Sequence, residues 1–256
     1  MKKPMTETLV LAIESSCDET SVAIVRGGTE VLANVVSSQI ALHAEFGGVV
    51  PEVASRAHLE LLEVVVGEAL DEAGIAVADL DAVAATHGPG LIGALLIGVS
   101  AAKALALAWN VPYVGVNHME GHLFATFLER PDLEPPLVVL LVSGGHTMLV
   151  ELRALGDYRI LGSTIDDAAG EAFDKVARYH LGLSCPRWTV IDRLAVEGIN
   201  TTIRVSSGVG KRGSRFLVQR YEDLEKVINY VRKNRAAKNA DLAASFPEAA
   251  VVDVLA

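Results

Sequence analysis

Residues 136–152 read "PLVVLLVSGGHTMLVEL": two apolar runs about a Ser-Gly-Gly-His turn. Residues 8–25, "TLVLAIESSCDETSVAIV", follow the same plan about "SSCDET". Short apolar runs flanking a polar, turn-forming segment predict a β-hairpin. A third strand pattern follows each hairpin, "EVLANVVSSQ" after the first and "YRILGSTI" after the second. A helical pattern then follows each triplet. The chain therefore starts one supersecondary unit twice, and this restart decides the fold.

The first half continues with an amphipathic helix from about Pro51 to Ala73, stopped at Gly74. A strand at "LDAVAAT" leads through "HGPG" into a helix opening at Leu91, and "PYVGVN" leads into a helix at His118. The order is β-β-β-α-β-α-β-α. A Pro- and acid-rich link at 131–136 precedes the second start, whose helix runs from about Ala168 to Leu181. Beyond Leu183 the pattern degrades, with helical patterns returning at "DLEKVINYVRKN" and "ADLAASFPEAAVVDVLA". The expected fold is α/β. Its duplication resembles that of the actin–hexokinase superfamily, with ribonuclease H-type lobes at 1–130 and 135–256 and the second lobe incomplete. In that superfamily the first hairpin turn of each half reaches toward phosphates, which Gly- and Ser-rich turns can meet with backbone N–H groups.

Composition narrows the function. With 51% hydrophobic residues the chain can bury a sizeable core, and its net charge of −10 argues against a general polyanion binder. The basic run at 203–220, five Lys or Arg without an acid, is a local exception that could touch phosphate. Two cysteines, Cys17 and Cys185, without a C-x-x-C motif, fit a reduced, cytoplasmic compartment. The apolar run at the start is too short for a signal peptide. "LIGALLIGVSAAKALALAW" (91–109) has the length of a membrane span, but it carries Lys103 and follows a strand-turn signal. It is expected to be a buried core helix, with no membrane partner.

The stretch "HMEGHL" (118–123) places His118 and His122 four residues apart, on one face of a helix. Glu120 follows His118 by two residues, a rotation of roughly 200°, and points away from that face. A zinc protease would need its glutamate base on the metal side, so that chemistry is disfavoured. A metal site of another kind, or a surface pair without function, remain the two readings at this point.

Several stretches together resemble one family: "ESSCDETSVA", "HAEFGGVVPEVASRAH", "GPGLIGALLIG", "HMEGHL", "LLVSGGHT" and "DDAAGEAFDK", with shorter pieces at "VIDRLA", "INYVRKN" and "ADLAASF". They are similar to the tRNA N6-adenosine threonylcarbamoyltransferases, earlier described as O-sialoglycoprotein endopeptidases. The resemblance implies transfer of a threonylcarbamoyl group from threonylcarbamoyl-AMP to the N6 amine of the adenosine 3′ to the anticodon. The tRNAs concerned read codons that begin with A. It implies one divalent metal on His118 and His122, iron(II) ahead of zinc. Leu141, Val142, Ser143, Gly144, Gly145, Asp174 and Asp192 would contact the adenylate, and Asp18 would orient or deprotonate the attacking amine. The implied partners are tRNA, a paralogous dimerisation subunit and a small ATPase subunit. The alternative is a non-catalytic dimerisation or scaffold paralogue of the same family, which lacks the histidine pair. A small-molecule kinase of the same superfamily would need an adenosine pocket in the second lobe.

The chain departs from the family in two patches. "PRWT" (186–189) stands where the family has Pro-Gly-Gly-Pro, and "RFLVQRYED" (215–223) where it has Asp-Phe-Ser-Phe-Ser-Gly-Met-Lys-Thr. The family's third metal ligand, an aspartate, and its adenosine-holding Gly-Gly-Val…Asn stretch are not in the chain. The expectation is that both patches, and the stop after Ala256, arise from shifts of reading frame, and that the chain as it stands is inactive.

Overall fold

The computed structural model describes residues 4–130, 132–179 and 250–255. Asp192, both divergent patches, the basic run at 203–220 and the helical pattern at 223–234 lie outside them.

The chain divides into two units, the first built on residues 1–133 and the second opening at Glu134, with the division falling inside the helix Ala169–Tyr179. In the first unit β1 (Leu9–Glu14), β2 (Glu19–Arg26) and β3 (Glu30–Ser38) form an antiparallel meander. Its inward residues alternate along the strands, with Leu9, Leu11 and Ile13 buried on β1 and Val22 and Ile24 on β2. After a short helix α1 (Ile40–Ala44) comes α2 (Pro51–Ala73). Proline at its first position needs no N–H partner, and Gly74 at φ 63° ends it, its N–H returning to Leu70 and Asp71 carbonyls. Strand β4 (Ala82–Gly88), helix α3 (Ile92–Trp109), strand β5 (Tyr113–Asn117) and helix α4 (His118–Glu129) complete the unit.

The sheet order is β3-β2-β1-β4-β5, with β1, β4 and β5 parallel. That is the ribonuclease H-type arrangement expected from the sequence. Helix α2 packs on β2 and β3, α3 on β4, β1 and β5, and the two helices on each other. Leu62, Val65, Val66 and Ala69 of α2 and Ala102 and Ala106 of α3 meet the strand residues in one core.

Helix α3 is less enclosed than expected. Ala94, Gly98, Ala102 and Ala106, four apart, form its buried stripe, whereas Ile92 and Leu107 are 86% and 84% exposed. Small residues draw the helix close to the sheet, Ile97, Val99, Leu105 and Trp109 pack partly buried beside them, and Ile92, Leu96 and Leu107 are left outside. Its length and composition would allow it to cross a membrane, but its small-residue face is spent on the sheet.

The second unit repeats the plan. Strands β6 (Leu137–Val142), β7 (Thr147–Ala154) and β8 (Asp157–Ser163) form an antiparallel meander, followed by α5 (Ala169–Tyr179). Residues 250–255 correct the sequence reading. A helical pattern was expected there, but β9 (Ala250–Leu255) is a strand pairing parallel with β6. "AVVDVL" is rich in β-branched valine, which favours a strand, and a short apolar run carries no period to separate the two. The order β8-β7-β6-β9 repeats β3-β2-β1-β4 strand for strand. The second sheet thus carries a counterpart of β4.

Candidate active site

Strands β1, β4 and β5 run parallel and end side by side, at Glu14, Gly88 and Asn117. In open α/β sheets the crevice beyond such carboxyl ends is where ligands bind. Three groups from this edge meet: the turn 15–18, Thr86 and the start of α4.

His118 opens α4. Asn117 caps it, its side-chain oxygen accepting from Met119 N at 2.8 Å, so the first turn is fixed against β5. His118 Nε2 and His122 Nε2 face each other at 3.0 Å, with their rings nearly perpendicular. On its other side, His118 Nδ1 lies 3.4 Å from Glu14 Oε2 and 3.3 Å from Ser16 Oγ. Two imidazole nitrogens each about 2.1 Å from a common ion would be about 3.0 to 3.4 Å apart, so the pair fits two donors to one metal. Among the described residues no cluster of three or more His, Cys, Asp or Glu could hold a metal. The pair is therefore a two-nitrogen donor set here.

Glu14 is held from three sides. Ser16 N donates to its Oε1, Thr86 Oγ1 donates to its Oε2, and His118 Nδ1 faces the same Oε2. Burial alone would raise its carboxyl, but bonds with His118, Ser16 and Thr86 outweigh burial and hold it at about 2. A neighbouring acid behaves oppositely: burial, then Asp18, raises Glu19.

Asp18 lies in the same turn as Ser16, half-buried, its carbonyl accepting from Gln39 N at 2.9 Å. Behind the turn stands a buried polar chain. Fully buried His58 donates from Nε2 to Cys17 O at 3.0 Å, while its Nδ1 takes Thr20 Oγ1 at 2.8 Å and Gln39 Nε2 at 3.4 Å. Buried His43 donates from Nε2 to Gln39 Oε1 at 3.1 Å and accepts Val50 N at Nδ1. The two histidines that bound "HAEFGGVVPEVASRAH" thus brace the Asp18 turn from α1 and α2.

Glycines of "GPGLIGALLIG" explain the close approach of α3 to this turn. A Cβ at Gly90 would lie 2.6 Å from Ser16 O, and one at Gly98 would strike the Ser15 hydroxyl, which donates to Ala94 O at 3.0 Å. Leu91 N also donates to Ser16 O at 2.8 Å.

In the second unit Ser143, Gly144 and Gly145 form the turn between β6 and β7. Ser143 N donates to His146 O at 2.7 Å, and Ser143 Oγ accepts from His146 N at 3.0 Å. Among the described residues no backbone bond engages the N–H of Gly144 or Gly145, and both are exposed with open space where a Cβ would stand. The N-terminus of α5 abuts this turn, Gly170 N donating to Ser143 O at 3.2 Å; a Cβ at Gly170 would come within 2.7 Å of that oxygen. Free N–H groups beside a helix N-terminus suit an anion. Leu141 is fully buried in the core, which leaves it only its backbone to offer a ligand, and Val142 ends β6 at the turn. Asp174 sits in the second turn of α5.

The structure therefore brings His118, His122 and the Asp18 turn together in the first unit, and Ser143 to Gly145 with the start of α5 in the second. Sequence reasoning did not single out Glu14, Ser16, Thr86 or His58. The available signal was an acid ending the apolar run of β1 and a threonine ending that of β4, at neighbouring parallel strand ends.

The chain is similar to proteins of one named family. A family model described as tRNA N6-adenosine threonylcarbamoyltransferase matches residues 30–256. The protein of that name from Geotalea uraniireducens (strain Rf4) is 54% identical over 251 residues, 96% of this chain and 72% of that protein. The one from Clostridioides difficile (strain 630) is 50% identical over 256 residues, 98% of this chain and 75% of that protein. Among solved structures, YeaZ from Pseudomonas aeruginosa is 25% identical with a TM-score of 0.41, covering 61% of this chain and 65% of that one. Matched through nearly its whole length at half identity, the chain belongs to the tRNA N6-adenosine threonylcarbamoyltransferase family.

Proposed function

We propose that the site serves acyl transfer from threonylcarbamoyl-AMP to the N6 amine of the tRNA adenosine 3′ to the anticodon, with release of AMP. The observation that carries this reading is the convergence of His118 and His122 at 3.0 Å beside the Asp18 turn, in a chain of this family. The amine nitrogen attacks the carbamoyl carbon, the carbon–oxygen bond to the phosphate breaks, and AMP leaves with the electron pair. Asp18 takes the proton that the amine gives up. Gly144 and Gly145 hold the adenylate phosphate through backbone N–H groups, preorganised at no cost during reaction, and Ser143 contributes from the same turn, whose shape its bonds to His146 fix. Asp174 and Asp192 belong to the same ligand's contacts. His118 and His122 would hold one divalent metal, iron(II) ahead of zinc, which when bound supplies positive charge to the anionic adenylate.

The partners in this reading are tRNA, a paralogous dimerisation subunit and a small ATPase subunit, working in the cytoplasm. Ile92, Leu96 and Leu107 are exposed apolar side chains on one side of α3, which supports a protein partner there.

The test is transfer of labelled threonylcarbamoyl to unmodified tRNA with the partner subunits present. It compares this chain with a version carrying the family's residues at 187–189 and 215–223 and joined to the family segment that bears the metal-ligating aspartate and the Gly-Gly-Val…Asn stretch. The restored version is expected to transfer, to lose transfer on His118→Ala, and to exceed this chain at least tenfold. No transfer by the restored version overturns the reading.

A further inference from the structure

We propose that Glu14 is the positioning residue of His118: its carboxylate holds the proton on Nδ1 and thereby presents the Nε2 lone pair toward His122 and a divalent metal. The inference rests on the metal reading above for its consequence, but its geometry stands in the chain itself.

An imidazole offers a lone pair from one nitrogen only when its proton sits on the other, and the partner of the second nitrogen decides which. His118 Nδ1 faces Glu14 Oε2 at 3.4 Å and Ser16 Oγ at 3.3 Å. An ionised carboxylate can only accept, so the proton belongs on Nδ1. The serine hydroxyl is compatible with this, since its oxygen accepts as readily as it donates. Nε2 then carries the lone pair, and in the metal-free protein it takes the hydrogen of His122 Nε2 across 3.0 Å. The two nitrogens that face each other are thereby assigned opposite roles, and for both to serve as donors to one metal the His122 proton would have to sit on its Nδ1.

Glu14 is suited to the task because it cannot swing away. Ser16 N and Thr86 Oγ1 occupy one oxygen each, from the turn after β1 and from the neighbouring strand β4. The carboxylate is thus fixed to the sheet, whereas His118 sits on α4 beyond β5. Glu14 ties the metal-binding helix to the carboxyl ends of the central strands. Thr86 acts one bond further back, and Thr86→Val would release one Glu14 oxygen.

The experiment is nitrogen-15 NMR of the histidine rings in this chain without metal, followed by zinc(II) titration read on the same resonances. In the wild-type chain His118 is expected as the Nδ1–H tautomer. In Glu14→Gln, whose amide can donate as well as accept, that preference is expected to fall to a mixture, and the zinc dissociation constant to rise 10- to 100-fold. A His118 proton on Nε2 in the wild-type chain overturns the inference, and this needs no variant to fold. An unchanged tautomer and zinc affinity in folded Glu14→Gln overturns it equally. The Nδ1–H tautomer with no response to zinc supports the role of Glu14 and counts against the metal reading instead.

Discussion

Cys17 sits between Ser16 and Asp18 with its side chain at the surface, the position a nucleophilic thiol would need. Partial burial, then the carboxylates of Asp18, Glu19 and Glu14, push it up to about 12. The thiol is therefore the resident form at neutral pH, and thiolate chemistry has no place in the site. In a Cys185→Ser background, alkylation of Cys17 by iodoacetamide near pH 8 should run about two orders of magnitude slower than that of a free-cysteine peptide. Equal rates would contradict the electrostatics of the turn. The sign for stability follows from the same shift. The folded chain holds its proton up to about 12 against an ordinary value of 9.0, so this contribution is complete below pH 9 and is lost as pH rises toward 12. His58 makes a second prediction at this scale. Its removal strands Thr20 Oγ1 and Cys17 O in the interior and leaves a cavity. His58→Ala should cost about 3 kcal/mol in urea unfolding, and a loss under 1 kcal/mol would show that the buried chain is not a brace.

Between elements, the decisive contact is that of α3 with the turn after β1. Gly98 leaves room for the Ser15 hydroxyl, which bonds Ala94 O. Gly98→Ala should destabilise by about 2 kcal/mol through overpacking, whereas Ser15→Ala with Gly98→Ala should recover part of it, since the clash is with the deleted oxygen. Additive losses in thermal unfolding would place the strain elsewhere. This packing also shows how far the sequence could be read. Helix α2 was legible at both ends, from Pro51 and Gly74, because caps are local chemistry. The hairpins were legible from short apolar runs on either side of a polar turn. Residues 250–255 were not, since a run of small and β-branched residues carries no period, and only pairing with β6 makes them a strand. The exposed side of α3 escaped for a related reason: hydropathy counts apolar residues but does not say which side the small ones face. In the site, the histidine pair was legible from its four-residue spacing. Glu14 and Thr86 are 72 residues apart and meet only because β1 and β4 are neighbours.

Over the whole molecule, the repeated sheet order gives the two divergent patches their interest. The chain is about half identical to its relatives over nearly its whole length, yet of residues 187–189 and 215–223 only Phe216 keeps the family's residue. Both patches follow from one operation. If each codon borrows the last base of its predecessor, Gly-Gly-Pro read as C-GG, T-GG, A-CC becomes Arg187, Trp188 and Thr189. The same shift turns Asp-Phe-Ser-Phe-Ser-Gly-Met-Lys-Thr, read as C-GA, T-TT, C-TC, G-TT, C-AG, C-GG, T-AT, G-AA, G-AC, into Arg215 through Asp223. Family-like residues resume at Val190 and near Val227, so the frame returns after each patch. One rule that accounts for twelve residues in two places is a stronger explanation than independent substitution, which has no reason to respect codon boundaries. It also removes any selected role in tRNA binding from the basic residues Arg215 and Arg220. Resequencing the gene tests the idea. Single-base corrections flanking each patch should restore the glycines and the serine-rich stretch, and a clean read in the present frame would refute it.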